Sequence, residues 1–416
     1  MSSIVLGLGF SLVAGVNYEE APINYRSTAP SNAVSKLQQA IDDGAVQLQF
    51  EGDQGYLRAL LEKLDVPISS QVMPFGKLSR QNPKISPHTP RAIYFNDDIH
   101  VGYVRDGLIE IAVTDPALGM VFYTLEQSPV DKPQFRNDSI SCLTCHGTAK
   151  TKNVPGLHVR SVIPDIHGEP VLAAGSFRTD HSSPIEKRWG GWYVSGRHGN
   201  TSHLGNLTLP DQKKPKTIVN SKGLNVSSLD PFFDTGKYLS PHSDIAALMV
   251  LEHQADGINS ITTANFETRL ALYRFEQQVA VDGADRVTLQ KELDARIAKA
   301  GESLVKYFLF CGEAEIPEAI ESVSGFAAEF SNRGPADKAG RSLRTLQLHG
   351  RLFKYPCSYL IYSDAFHALP PPMKSWVLRR LREILTSDVV PTGYEHLNTV
   401  DRRAMVDILS DTMPGF

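Results

Sequence analysis

Ala92-Ile-Tyr-Phe95, Val101-Gly-Tyr-Val104, Leu108-Ile-Glu-Ile-Ala-Val113 and Met120-Val-Phe-Tyr-Thr-Leu125 are four apolar runs within 34 residues. β-branched and aromatic residues dominate them, as suits a pleated, half-buried surface. Asn96-Asp-Asp98, Asp106-Gly107 and Asp115-Pro116 punctuate them. Asp-Gly between apolar runs is a hairpin signal, because both turn positions favour positive φ. The stretch therefore predicts an antiparallel meander. On its C-terminal side, Val159-Arg-Ser-Val-Ile163 and Pro170-Val-Leu-Ala-Ala174 flank Asp165-Ile-His-Gly168 and predict a further hairpin.

Away from this region the period changes. Val34, Leu37 and Ile41 form one apolar stripe; Tyr56, Leu57, Leu60, Leu61 and Leu64 form a second, ended by Pro67. From Pro241 onward the pattern is helical. Ile245, Leu248 and Met249 share a face with Ser243 as N-cap; Leu289, Leu293, Ile297, Leu304 and Phe308 form a long stripe. Leu343, Leu346, Leu352 and Phe353 form another, stopped by Pro356. Pro370-Pro-Pro372 opens a helix through Trp376, Leu381 and Ile384, and Thr399 caps the last, with Met405, Ile408 and Leu409 inward. The fold class expected is α+β: an antiparallel sheet domain followed by a mainly helical C-terminal region. The divisions expected are a signal-peptide core within 1–16, a linker over 17–30, an α+β domain over 31–235 and a helical domain over 236–416.

Between the two β regions lies Cys142-Leu143-Thr144-Cys145-His146. A C-x-x-C-H run is the attachment signature of c-type haem. Two thiolates add across the porphyrin vinyl groups, and the adjacent His supplies an axial nitrogen to iron. Other readings of the pair are weaker. A structural zinc site needs about four soft ligands, and the remaining cysteines, Cys311 and Cys357, stand singly and far downstream. A thioredoxin-like pair belongs at a strand-to-helix turn, whereas Pro133–Ser139 reads as a polar loop. A disulfide between Cys142 and Cys145 leaves His146 unexplained.

The phrase Ser141-Cys-Leu-Thr-Cys-His-Gly147 resembles the c-type cytochromes. The resemblance implies Cys142 and Cys145 as thioether anchors, His146 as proximal iron ligand and one covalent haem c as cofactor. Arg188-Trp-Gly-Gly-Trp-Tyr193 and Tyr355-Pro-Cys-Ser-Tyr-Leu-Ile-Tyr-Ser363 resemble large single-haem cytochromes of environmental bacteria, a likeness that implies no particular activity. A monohaem shuttle needs on the order of 100 residues, about one small domain. Here 416 residues surround one motif. The haem is expected at the seam between the sheet-bearing and helical parts.

The ligand opposite His146 separates electron transfer from catalysis or sensing. Candidates are His198 and His203, after the Gly-rich aromatic run, then His253 and His158. Met120 and Met249 are the best-placed methionines, but both read more simply as core packing. His181 reads as a helix or turn cap. Trp189, Trp192, Tyr193 and Arg160 are expected to wall the pocket, with glycines admitting a flat cofactor. Arg160, Arg178, Arg188 and Arg197 cluster in sequence, as propionate partners or ordinary surface charge.

The formal charge of −4 gives no reason to expect nucleic-acid binding, and no apolar run of 18 residues occurs to span a membrane. Ile4–Val16 has the length of a signal-peptide core, though no Lys or Arg precedes Arg26. A periplasmic or otherwise extracytoplasmic location follows from that stretch and from haem attachment; it also tolerates a Cys311–Cys357 disulfide, with two lone thiols the alternative. The function expected is electron transfer to a redox partner protein. The alternatives are a peroxidase- or oxygenase-like haem enzyme acting on a small molecule, and a haem-based sensor.

Overall fold

The computed structural model describes residues 16–212 and 218–416. The apolar stretch read as a leader and the basic run Lys213–Lys216 fall outside these residues, apart from Val16.

In chain order the helices are α1 (Ala33–Asp42), α2 (Leu57–Lys63), α3 (Ser139–His146), α4 (Ile245–Val279), α5 (Arg286–Phe308), α6 (Phe326–Asn332), α7 (Asp364–His367), α8 (Pro371–Thr386) and α9 (Thr399–Thr412). The strands are β1 (Met73–Pro74), β2 (Ala92–Phe95), β3 (Ile99–Tyr103), β4 (Ile109–Asp115), β5 (Gly119–Leu125), β6 (Phe135–Asn137), β7 (Val159–Ser161), β8 (Phe177–Thr179), β9 (Trp192–Tyr193), β10 (Leu346–His349) and β11 (Arg351–Phe353). The molecule is α+β with a helical C-terminal region.

The central sheet has the order β2-β3-β4-β5-β6, antiparallel throughout. Its register sets two cross-strand rows that matter below. One is Phe95–His100–Ala112–Phe122; the next is Ile93–Gly102–Glu110–Thr124–Arg136. Residues two apart share a face, so both rows lie on the same side of the sheet.

The segment expected as a linker packs instead. Ile23 and Tyr25 are buried, and the Tyr25 hydroxyl donates to the Met120 carbonyl at 2.7 Å. The reason is an anchor: the Ser31 amide donates to Asp115 at 2.6 Å, and the Asn32 amide group reaches the same carboxylate. Asn32 also caps α1, in a capping box with Ser35.

The long helix α4 carries the second half of the fold. Its N-terminal half is buried on all sides, which explains why its apolar stripe continues into buried Glu252, His253, Gln254 and Asn259. Its N-cap is Asp244, whose Oδ1 accepts from the Ala246 amide. Oδ2 of the same carboxylate accepts from Ser322, Val323 and Ser324. Ser243, expected as the cap, points elsewhere: its hydroxyl donates to the Tyr193 carbonyl and accepts from the Met73 amide. One apolar cluster joins Val72, Phe95, Val159 and Trp189 to the helices, so the core runs across position 235.

Two local expectations are corrected. Leu343–Phe353 is not helical; β10 and β11 form a hairpin there, turned at Gly350 with φ +70°. Four apolar residues at helical spacing could not hold a helix across His349-Gly-Arg351. Val159–Ser161 pairs with Phe177–Thr179, and of the expected hairpin only the end beside the Asp165–Gly168 turn forms, as an antiparallel bridge of Pro164 with Pro170 and a bond from the Val171 amide to the Ile163 carbonyl. Pro170 has no N–H for a ladder, and Leu172–Ala174 forms a 3₁₀ turn.

Candidate cofactor site

The C-x-x-C-H run lies on α3. Ser139 pins the start of that helix to the sheet, its hydroxyl accepting from the Phe122 amide at 3.0 Å. The Asp138 carbonyl accepts from the amides of Ser141 and Cys142, and its carboxylate pairs with Arg80 at 3.0 Å. Cys142 and Cys145 are three residues apart and so share a helix face. Both are free thiols; Cys142 is half-buried and Cys145 exposed. Burial pushes the Cys142 thiol up to about 11.

His146 closes the helix. Its Nδ1 lies 2.9 Å from the carbonyl oxygen of Gly156, and the Gly156 amide donates back to the His146 carbonyl at 2.9 Å. A carbonyl only accepts, so Nδ1 carries the proton and Nε2 keeps its lone pair. A backbone carbonyl on the second nitrogen is the usual way a protein orients a metal-bound imidazole. Burial lowers the His146 pKa, which keeps the ring neutral and available as a ligand. The ring packs against Phe122 at 5.0 Å and His158 at 5.2 Å between centroids.

Cys142, Cys145 and His146 open onto a cavity of about 470 Å³ at the seam between the sheet and α4. Its floor comes from the two sheet rows, including His100, Gly102, Ala112 and Phe122, and α4 contributes Leu251 and Ala255. That volume is within the usual range for small-molecule and cofactor sites, about 300–1,000 Å³. Several buried polar atoms of the cavity lining have no hydrogen-bond partner: both ring nitrogens of His100, Nδ1 of His158, Nε of Arg91 and the Thr124 hydroxyl. Such orphans are uncommon in native interiors and mark places where a further group belongs. Among the described residues, no three His, Cys, Asp or Glu side chains converge to hold a metal ion by themselves. A protein-only cage such as a zinc knuckle is therefore not formed by the donors on α3. The donor set fits what a covalently carried porphyrin would require, with two thiols one turn apart and one lone-pair nitrogen beside the cavity.

Of the residues singled out from sequence, His158, Arg160 and Trp192 line this cavity. Trp192 is locked by its indole N–H, which donates to the Arg160 carbonyl at 2.8 Å. Trp189 and Tyr193 face away. Trp189 is buried against His203, and Tyr193 donates to the Pro87 carbonyl among Phe75, Phe232 and Phe233. Gly190 and Gly191 reach the cavity, but their need for glycine comes from packing: a Cβ on either would press on the backbone of Val162. Trp189 itself has φ +67°.

The remaining histidine candidates lie elsewhere. His198 and His203 pair through Nε2 atoms 3.2 Å apart in their own buried pocket. His253 pairs with His181 through Nδ1 atoms 2.9 Å apart and touches the Ser358 hydroxyl through Nε2. His181 is thus a core residue and not a cap. Met120 and Met249 are buried in apolar clusters. Arg178 pairs with Asp256 and Asp180, Arg188 with buried Glu252, and Arg197 with Glu321. Cys311 and Cys357 are both free thiols, so the disulfide alternative is not formed.

Sequence reading missed His100, Arg91 and Glu110. Arg91 and Glu110 pair at 2.7 Å within the cavity wall. The signal for His100 was present: in Ile99-His-Val-Gly-Tyr103, period 2 puts His100 and Gly102 together on one face of a strand otherwise apolar. Compared with known proteins, the chain matches no family model, no curated protein and no solved structure.

Proposed function

We propose that this chain is a single-haem c-type cytochrome that transfers electrons to a partner protein and works outside the cytoplasm. The observation that supports it is the geometry of His146: an oriented imidazole with its lone pair free, one residue from Cys145, at the mouth of a cavity lined by unpartnered polar atoms. Cys142 and Cys145 would hold the haem c by thioethers, and His146 Nε2 would face its iron. When bound, the haem supplies a one-electron couple whose potential depends on axial ligands and burial.

The chain's own residues do the rest. The Gly156 carbonyl fixes the ring plane of His146 and raises its basicity as a ligand. Phe122, Leu251 and Ala255 give the cavity apolar lining. Lys150 and Arg160 bring positive charge to the cavity lining, where carboxylates of a bound group would be stabilised. Thr144 and Cys145 are exposed, so a partner can approach the attachment edge closely. No helix among the described residues is long and apolar enough to cross a membrane; the N-terminal apolar stretch, read as a leader, goes with export.

The test is the matured protein itself. Its pigment should resist extraction by acidified organic solvent, and its reduced pyridine complex should absorb as a doubly thioether-linked haem. Cys142→Ala and Cys145→Ala should each shift that complex to the singly linked type, and His146→Ala should displace the Soret band. Colourless protein, or pigment lost to the solvent, overturns the proposal.

A further inference from the structure

Three imidazoles line the cavity: His100, His146 and His158. His146 is committed through Nδ1 to Gly156. Its neighbour His158 is close, but the rings do not meet nose to nose. The other two histidine pairs have centroids 4.8 and 5.1 Å apart, and each shows a direct N···N hydrogen bond, of 3.2 and 2.9 Å. His146 and His158 are 5.2 Å apart, tilted by 38°, with no N···N hydrogen bond between them. Their nitrogens therefore do not point at each other, and His158 stands beside His146 rather than opposite it.

His100 is placed differently. It lies in the row Phe95–His100–Ala112–Phe122, and Phe122 is the residue against which His146 packs. Two strand spacings, about 10 Å, separate His100 from Phe122. Within the row Ala112 stands between them, the smallest side chain of the four, and it lines the cavity together with His100 and Phe122. His100 is only 6% exposed, stacks on Phe95, and has no hydrogen bond at either ring nitrogen. Burying an imidazole with both its donor and its acceptor unmet is costly. A partner within the cavity removes that cost.

The geometry points to His100 as the iron ligand opposite His146, across the cavity that Ala112 lines. This inference rests on the haem reading above. It makes the iron six-coordinate through two imidazoles, the arrangement suited to moving electrons without binding small molecules.

Ferric and ferrous absorption spectra with and without CO, taken on matured protein whose pigment has been shown to be covalent, test it. Wild type should be low-spin and indifferent to CO. His100→Leu should become high-spin and bind CO; His158→Leu should keep the wild-type spectrum. His100→Gly guards against a merely misfolded variant, since added imidazole should restore the low-spin spectrum. High-spin wild type, a low-spin His100→Leu, or a switch to high spin in His158→Leu overturns this assignment while leaving the covalent haem intact. Colourless or extractable pigment overturns the haem reading instead.

Discussion

Asn259, on α4, governs the orientation of His146 through two intermediates. Its side-chain oxygen accepts from the Leu157 amide at 2.9 Å, and its nitrogen donates to the Leu157 carbonyl at 2.6 Å. Leu157 follows Gly156, whose carbonyl holds the His146 proton. Gly156 is required there because a Cβ would overlap the Asn259 carboxamide oxygen. Asn259→Ala leaves two backbone groups of Leu157 without partners, at a cost of about 1–3 kcal/mol. Urea denaturation should register that loss, and the hydrogen-bonded Nδ1–H resonance of His146 should shift or broaden. An unchanged resonance would show that the loop holds itself. At this scale the sequence was eloquent about α3, because both thiols and the histidine stand within five consecutive residues. It was silent about Asn259, which acts from 113 positions downstream of His146.

At the scale of elements, the periods told helix from strand wherever packing followed a single face. α1, α2, α5, α8 and the central meander are where those periods place them. The exceptions have a shared cause. The hairpin of β10 and β11, and the pairing of β7 with β8, depend on turn residues and proline positions that apolar spacing ignores. Packing between helices supplies a prediction of its own. Gly301 on α5 faces Trp376 on α8, and a Cβ at Gly301 would overlap the indole ring. Alanine gains about 1 kcal/mol of helix propensity over glycine. Overpacking a buried contact costs about 1–3 kcal/mol. Gly301→Ala should therefore lower stability in thermal or urea unfolding, against the propensity trend. A rise in the midpoint would mean that Trp376 moves aside freely.

Across the whole molecule, buried neutral histidines tie stability to pH. Burial brings His203 down to about 3, and His198 adds to this. The unfolded ring titrates near 6.5, so between these values only the unfolded chain takes the proton. The contribution is complete above about pH 6.5 and is lost as pH falls toward about 3, at about 1.4 kcal/mol per pH unit. Glu313 works in the other direction: burial pushes its carboxyl up to about 7, so its contribution fades as pH rises from about 4.5 to about 7. His203→Gln leaves Glu313 untouched. Between pH 7 and pH 5 the variant should lose about 2 kcal/mol less stability than wild type, measured by urea unfolding at each pH. Equal losses would mean that the folded protein protonates His203 easily. The sequence by itself determined the α+β class, most helices and strands of the meander, and the thiol pair with its histidine, because each is written in local spacing. Which histidines reach the cavity was decided only by the tertiary structure. Strand register brings His100 into the same cavity as His146, while burial takes His198, His203 and His253 into pairs of their own. Side chains far apart in sequence become neighbours only through the packing of sheet on helix, and no local pattern records it.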